Sequence, residues 1–360
     1  MAPDVDIAVV GGGIVGAATA RALGAHAGPV VLLEQFTLGH ERGSSHGSSR
    51  IFRLNYPDER YVRMAQAADL AWRELEHERG VTLVERLGAL DLGPVASETG
   101  RALAACGVQY ATLSAREVEE RWPLRLEPRE TAVYQADGGF SHAERSHVAL
   151  VDSAREAGVE VRESTPVFGV SLGRRSVELQ LERETLVARA VAVTAGAWAS
   201  ELLEQVDVDL PVVPTRETVV YLDVPGAETI PPVIDYARLP AKRDGGITRV
   251  GQAAYALPAP GIGLKAGLHH SGPVAHPDEV GAVPEDGVRD WVSGWATSRY
   301  AEVGELRRVE TCLYTSTADE SFVLERHGRV VVGSACSGHG FKFAPVVGRT
   351  LAALAREAAQ

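Results

Sequence analysis

The turn that closes the largely apolar run Val5–Val10 limits what this chain can become: Gly11-Gly12-Gly13-Ile14-Val15-Gly16, passing into the helix-compatible Ala17–Leu23. In a strand–turn–helix unit, three glycines at this spacing have separate tasks. Gly11 allows the tight turn, Gly13 lets backbone approach a pyrophosphate, and Gly16 lets the helix pack against the strand. The helix N-terminus then brings free N–H groups and the positive end of its dipole to the phosphates. A second strand, Val30–Leu33, leads to Glu34, whose carboxylate is placed to accept from a ribose hydroxyl. Strand, glycines, helix, strand and acid fall within about 30 residues, a combination far more specific than a glycine triplet alone. A dinucleotide-binding unit is predicted.

With 360 residues the chain exceeds one ordinary core, so two domains are expected. A net charge of −12 argues against nucleic acid or an anionic membrane surface as partner, and leaves the positive charges that matter inside a site. No apolar run reaches the ~18 residues of a spanning helix. The N-terminus shows no basic segment followed by an apolar one, so no signal peptide is expected. Cys106, Cys312 and Cys336 form neither a disulfide framework nor a metal spacing, so no metal ligands are assigned and a reducing, cytoplasmic location is expected.

After Glu34 comes a serine- and glycine-rich loop from Gly39 to Arg50, longer than a connector requires. Its arginines, Arg50 and Arg53, suit an anionic ligand. Tyr61, Met64, Ala65, Ala68, Trp72 and Leu75 recur at helical spacing up to Gly80 and read as core. Gly88–Leu92 reads as a strand, Ser114 with Glu117 as a capping box, and Asp137–Gly139 as a turn. A helix over 144–157 leads to the strand Val159–Arg162. Leu186–Thr194 is a further strand, ending in Ala195-Gly196-Ala197-Trp198 and a helix, and Thr218–Leu222 is β-rich. Proline and glycine are dense from Pro225 to Pro260. Val330–Gly333 enters a second glycine turn, Ser337-Gly338-His339-Gly340, and a helix from about Pro345 to Glu357. The fold class is α/β: a Rossmann-like dinucleotide-binding domain (1–86, 142–210 and 304–360) interleaved with a mixed-sheet α+β substrate domain (87–141 and 211–303).

In order along nearly the whole chain, these stretches resemble the monomeric sarcosine oxidase and N-methyltryptophan oxidase family of D-amino-acid-oxidase-like flavoenzymes. The resemblance rests on Gly11-x-Gly13-x-x-Gly16, Gly43-Ser44-Ser45-His46-Gly47-Ser48-Ser49-Arg50-Ile51-Phe52-Arg53 and Ala195–Trp198. It continues through Gly263-Leu264-Lys265-Ala266-Gly267-Leu268-His269, Cys312-Leu313-Tyr314-Thr315 and Ser337-Gly338-His339-Gly340-Phe341-Lys342-Phe343. It implies FAD, held covalently by Cys312 through the 8α-methyl group. It matches Lys265 to the lysine beside which O2 is reduced, and Arg53 and Lys342 to the pair that grips a substrate carboxylate. His269, Tyr255 and Tyr314 match residues lining the substrate cavity. His46 and Arg50 match residues near the flavin ring, with Ser44 and Gly196 among the cofactor-binding positions. Val167 matches a residue that meets the adenine by its backbone, and His339 and Gly340 lie at the helix end facing the flavin pyrimidine. The segment Pro231–Tyr255 departs from the family's pattern, Tyr255 to Lys265 is one residue shorter, and His269 is followed by His270.

The implied activity is oxidation of a secondary or cyclic amino acid to an imine, with O2 reduced to hydrogen peroxide. The implied partners are a small amine and O2, and the implied state is a monomer. Two rival readings are an FAD dehydrogenase that passes electrons to another acceptor, which Lys265 argues against, and an NAD(P)H-dependent flavin reductase. In the second, Cys312, Lys265 and Gly338-His339-Gly340 have no obvious place.

Overall fold

The computed structural model describes residues 3–24, 28–238, 252–279 and 283–360. Most of the divergent segment between Pro231 and Tyr255 lies outside the described residues.

Val5–Val10, Val30–Leu33, Thr185–Val193 and Glu160–Arg162 form the parallel heart of an eight-stranded sheet, to which Val330–Ser334 adds in parallel beside Thr185–Val193. The inner strands are apolar almost throughout because both faces are covered. Ile7, Val9 and Leu32 point to one side, against the helices Ile14–Gly24, Ala143–Glu156 and Ala344–Ala359. Ala8, Val10, Val31 and Leu33 point to the other, where Val170, Leu179 and Leu203 pack. The first helix must lie close to the strand, and a Cβ on Gly16 would stand 1.8 Å from the carbonyl oxygen of Gly11. Gly16→Ala therefore forces the helix off its seat. Overpacking of this kind costs about 1–3 kcal/mol, and the urea midpoint should drop accordingly. An unchanged midpoint would show that the helix has room to move.

A second eight-stranded sheet runs in the order Leu306–Ser316, Val213–Leu222, Gly263–Leu268, Ala254–Ala259, Val233–Asp235, Ala89–Leu92, Thr131–Gln135 and Ala111–Ser114. It is antiparallel except where Val233–Asp235 lies parallel to Ala89–Leu92, so the sheet is mixed. Alternation along its strands separates core from site. Leu90, Leu92, Val220, Leu222, Ala254, Ala256, Leu264 and Ala266 face the helix Asp286–Arg299 and its Val292, Trp295 and Ala296. Asp91, Tyr221, Tyr255, Leu257 and Lys265 thereby face the other way. A one-residue slip of any strand would bury its polar member under that helix. A small third sheet joins Ser49–Phe52, Gly139–His142 and Val84–Glu85.

Several elements differ from expectation. Ser49 and Arg50 already belong to a strand, so the loop after Glu34 ends at Ser48. The turn before the third sheet falls at Ala136 and Asp137, and Gly139 opens a strand. Val213–Leu222 begins five residues earlier than its β-rich end, carried through Pro214 by pairing with Leu306–Ser316. That partner strand, grouped in sequence with the nucleotide half, sits at one end of the second sheet. The helices Ala96–Ala105 and Asp286–Arg299 escape the sequence reading. Gly100, Gly287 and Gly294 dilute their propensity, and tertiary burial of one face overrides it. Among the described residues, no helix is long and apolar enough to cross a membrane.

Candidate active site

One cavity of about 930 Å³ runs from the glycine turn to the polar face of the second sheet. Every candidate site residue named from the sequence lines it except Gly16, whose place is in the strand–helix packing already described.

At the nucleotide end, Gly11 turns the chain with φ +100°, and a Cβ there would meet the carbonyl of Thr194 at 2.7 Å. Glu34 is buried and accepts hydrogen bonds from the backbone N–H groups of Gly12 (2.7 Å) and Phe36 (2.8 Å). Burial pushes its carboxyl up, but hydrogen bonds from His40, Phe36 and Gly12 outweigh this and hold it below the usual range. It stays an ionised acceptor, as a ribose hydroxyl requires. The N–H of Ile14 donates to Ser45 Oγ at 3.0 Å, and His147 Nε2 donates to the Gly12 carbonyl at 2.6 Å. His147 does not stand out in sequence, because it supports the turn from another element. Val167 and Gly196, the latter at φ +54°, complete this wall.

The serine-rich loop folds back over the sheet face. Ser44 Oγ donates to the Leu313 carbonyl, and Arg50 donates to the carbonyls of Ser44, His46 and Ser49. Gly47, at φ +96°, leaves bare backbone where a Cβ would stand 3.4 Å from Arg50 Nη1 and 3.7 Å from Lys265 Nζ. Burial, with help from Arg50 and Lys265, drops His46 to about 3, so its imidazole is neutral. Its Nε2 is buried without a partner, as is Ser48 Oγ. Lys265 is buried and makes one long hydrogen bond, 3.4 Å to the Ser49 carbonyl. Desolvation, aided by repulsion from Arg50, lowers it to about 7. Cys312 lines the same wall; burial raises its thiol while Arg50 and Lys265 oppose that rise.

Tyr255, Tyr314 and His269 enclose the next stretch. Burial raises both phenols and lowers the imidazole. His269 Nδ1 lies 3.5 Å from Tyr314 Oη. Gly338 (φ +72°) makes their arrangement possible, since a Cβ there would meet Tyr314 at 2.3 Å and His269 at 2.4 Å. Of the two adjacent histidines, His269 lines the cavity and His270 lies behind it.

At the far end Arg53 and Lys342 flank Tyr56. Arg53 donates to Asp91 (3.0 Å) and to the Asn55 carbonyl (2.6 Å), with its guanidinium carbon 4.5 Å from the Tyr56 ring centroid and Tyr236 Oη at 3.4 Å. Lys342 Nζ donates to Tyr56 Oη (2.9 Å) and to the His339 carbonyl (2.6 Å). Burial and then Arg53 push Lys342 well below its ordinary value. Among the described residues no carboxylate lies within 4 Å of Lys342. Arg53 thus has its own buried acid, Asp91, while Lys342 has none beside it, and an anion placed between the two would favour the charged form of Lys342. His339 drops to about 3 through burial and Lys342, and its ring nitrogens face Tyr56 Oη (3.4 Å) and the Glu320 carbonyl (3.1 Å). A Cβ on Gly340 would lie 1.5 Å from the Ala335 carbonyl.

Sequence reasoning missed Asp91, Asn55, Tyr56, Tyr236 and Glu320 at this end. The available signal was Asp91 itself, an acid inside an otherwise apolar strand. Tyr236 is aimed by its neighbour: Asp235 accepts from Trp295 Nε1 (2.8 Å) and Arg299 Nε (2.7 Å), which pins that strand end to the helix beneath.

A glycine-turn nucleotide cradle opening into a cationic chamber of substrate size defines a dinucleotide-dependent oxidoreductase. The residues fit FAD: an ionised acid beside the turn, a helix N-terminus, and an unpartnered His46 Nε2 in the loop that covers the sheet face. The chain belongs to the DAO family of FAD dependent oxidoreductases, whose model matches residues 6–354. It is 33% identical to peroxisomal sarcosine oxidase of Homo sapiens, over 96% of this chain and 90% of that protein. It is 31% identical to monomeric sarcosine oxidase of Bacillus sp. (strain NS-129), over 99% of this chain and 94% of that protein. Among solved structures, NikD, an unusual amino acid oxidase essential for nikkomycin biosynthesis, superposes with a TM-score of 0.85 at 26% identity, covering 98% of this chain and 94% of that one.

Proposed function

We propose that this chain oxidises a secondary or cyclic amino acid to its imine and passes the electrons to O2, releasing hydrogen peroxide. The observation that carries the reading is the pair of buried basic groups, Arg53 and Lys342, on either side of Tyr56, with an acid, Asp91, on the Arg53 side alone among the described residues. A guanidinium fork and a compact ammonium suit a carboxylate, and a substrate anion supplies the charge the chamber lacks. FAD, when bound, accepts a hydride from the carbon beside the nitrogen.

The protein's own contribution is position and potential. Arg53 and Lys342 fix the carboxylate and thereby aim the amine-bearing carbon across the chamber. Their positive potential also favours the neutral amine, whose lone pair is needed to release the hydride. His269, held neutral by burial, accepts rather than repels that amine. Lys265, at the opposite wall, places a positive charge where O2 gains negative charge. Ser44, Val167, Gly196, His339 and Gly340 hold the cofactor along the cavity, with Glu34 on its ribose. The domain division proposed is 1–86, 142–210 and the C-terminal part around FAD, with 87–141 and 211–303 around the substrate. Leu306–Ser316 joins the two, since it carries Cys312 yet pairs in the second sheet. The protein is proposed to work as a cytoplasmic monomer.

Cys312 is proposed to hold FAD through a thioether to the 8α carbon, a bond whose formation would release one proton from the thiol and one from the methyl group and send two electrons by way of the flavin to O2. Arg50 and Lys265 oppose the rise that burial imposes on the thiol and so favour the thiolate that must form. Acid-precipitated protein should then remain yellow, and its intact mass should exceed the chain by one FAD. Cys312→Ala should release all colour into the supernatant. Complete release from the unaltered protein would overturn the linkage and leave a non-covalent flavoenzyme.

A further inference from the structure

Behind the wall of the amine chamber, His269, His270 and Glu320 gather one ligand atom each within 4.8 Å of one another. They come from two loops about 50 positions apart in the chain, one after the strand Gly263–Leu268 and one after Leu306–Ser316, so no spacing in the sequence announces them. His269 and Glu320 line the cavity, and His270 closes the cluster from behind. His270 Nε2 lies 3.2 Å from one Glu320 oxygen and His269 Nε2 lies 3.8 Å from the other.

These contacts make poor hydrogen bonds. His270 Nε2 is buried and has no hydrogen-bond partner despite its closeness to Glu320, because the two are out of line. Two lone-pair donors at that separation match ligands on one transition-metal ion. With metal–ligand bonds of about 2.0–2.2 Å in a tetrahedron, neighbouring donor atoms stand roughly 3.3–3.6 Å apart. His269 presents its Nδ1 to Tyr314 Oη at 3.5 Å, the kind of outer contact that orients a ligating imidazole. Both His270 (φ +55°) and Glu320 (φ +61°) hold left-handed backbone, uncommon for such residues and found where surrounding structure fixes a side chain's aim.

We propose that His269, His270 and Glu320 form a binding site for a divalent transition-metal ion such as Zn2+, with the fourth position open to the amine chamber. Imidazole and carboxylate ligands suit such an ion. An ion there takes over His269 and occupies the chamber wall, so it acts as a brake on amine binding and not as a participant in the chemistry. The site stands whether or not the amino-acid reading is right, since it rests on the ligand atoms alone.

Zn2+ titrated into the flavin-loaded protein by calorimetry should show one site per chain. Glu320→Gln, which keeps the shape, and His270→Ala should each weaken it about tenfold or more. A carboxylate inhibitor of the chamber and Zn2+ should compete in the same titration. Absence of binding, or binding that survives both substitutions, would overturn the proposal; loss of that surviving binding in Cys106→Ser would assign it to a thiol. Zn2+ binding lost in the variants but with no competition would overturn the brake and keep the site.

Discussion

Lys265→Met should still be bleached by the amine substrate without air, yet recover its colour in air about 100-fold more slowly or worse. Lys265 stands on a strand whose neighbours Leu264 and Ala266 are anchored in the core, so its ammonium is held at the cavity wall instead of free to reach solvent. Among the described residues no acid pairs with it within 4 Å; its hydrogen bond to the Ser49 carbonyl is 3.4 Å long, and Gly47 leaves space beside it. An uncharged O2 gains little from that charge, whereas the state in which it takes the first electron gains a great deal. This difference accelerates the step. Burial brings the lysine down from 10.5 to about 7. Its charge is therefore present below that pH and is lost as pH rises through it, so recovery in air should slow above about pH 7 in the unaltered protein and lose this dependence in Lys265→Met. Stopped-flow traces of the two half-reactions decide the matter. Normal recovery with impaired bleaching would place Lys265 at the substrate.

The second large effect concerns the far end. Arg53→Met should weaken carboxylate inhibitors tenfold to a hundredfold, since a charge-assisted contact is worth about 1.5–3 kcal/mol. Asp91→Ala should do more harm to the fold than to recognition. Asp91 is fully buried and pairs with Arg53 at 3.0 Å while accepting from Asn55. Burial raises its carboxyl to about 6, and Arg53 limits that rise. Removing it leaves Arg53 buried without its acid, a loss of about 3–5 kcal/mol. Urea unfolding of Asp91→Ala, Arg53→Met and the double variant should show the double variant less destabilised than Asp91→Ala alone. Additive losses would show that the two residues do not act as a pair.

The nucleotide half was legible because its physics is local. A buried parallel strand is a continuous apolar run, a phosphate turn needs glycine at fixed places, and both signals lie within a few residues. Lys265 and Cys312 were legible through the stretches around them. What stayed hidden depends on alternation and on contacts across the chain. Asp91 reaches Arg53 because Leu90 and Leu92 are claimed by the helix Asp286–Arg299, which its glycines had concealed. Tyr56 becomes the spacer between two cations through contacts nearly 290 positions apart. The choice between His269 and His270 was settled by Gly338, whose missing side chain admits one imidazole to the cavity beside Tyr314. None of these relations has a sequence period, since each is made by packing.

The central claim is that electrons taken from a carboxylate-bearing secondary amine go to O2. The most direct measurement follows hydrogen peroxide and amine together, for N-methyl and cyclic amino acids alongside the same amines lacking the carboxylate. The account predicts one peroxide per amine consumed with at least one of the amino acids, and little turnover of its carboxylate-free counterpart. Turnover that needs an artificial electron acceptor and yields no peroxide would contradict the role given to Lys265. Equal turnover with and without the carboxylate would contradict the role given to Arg53 and Lys342.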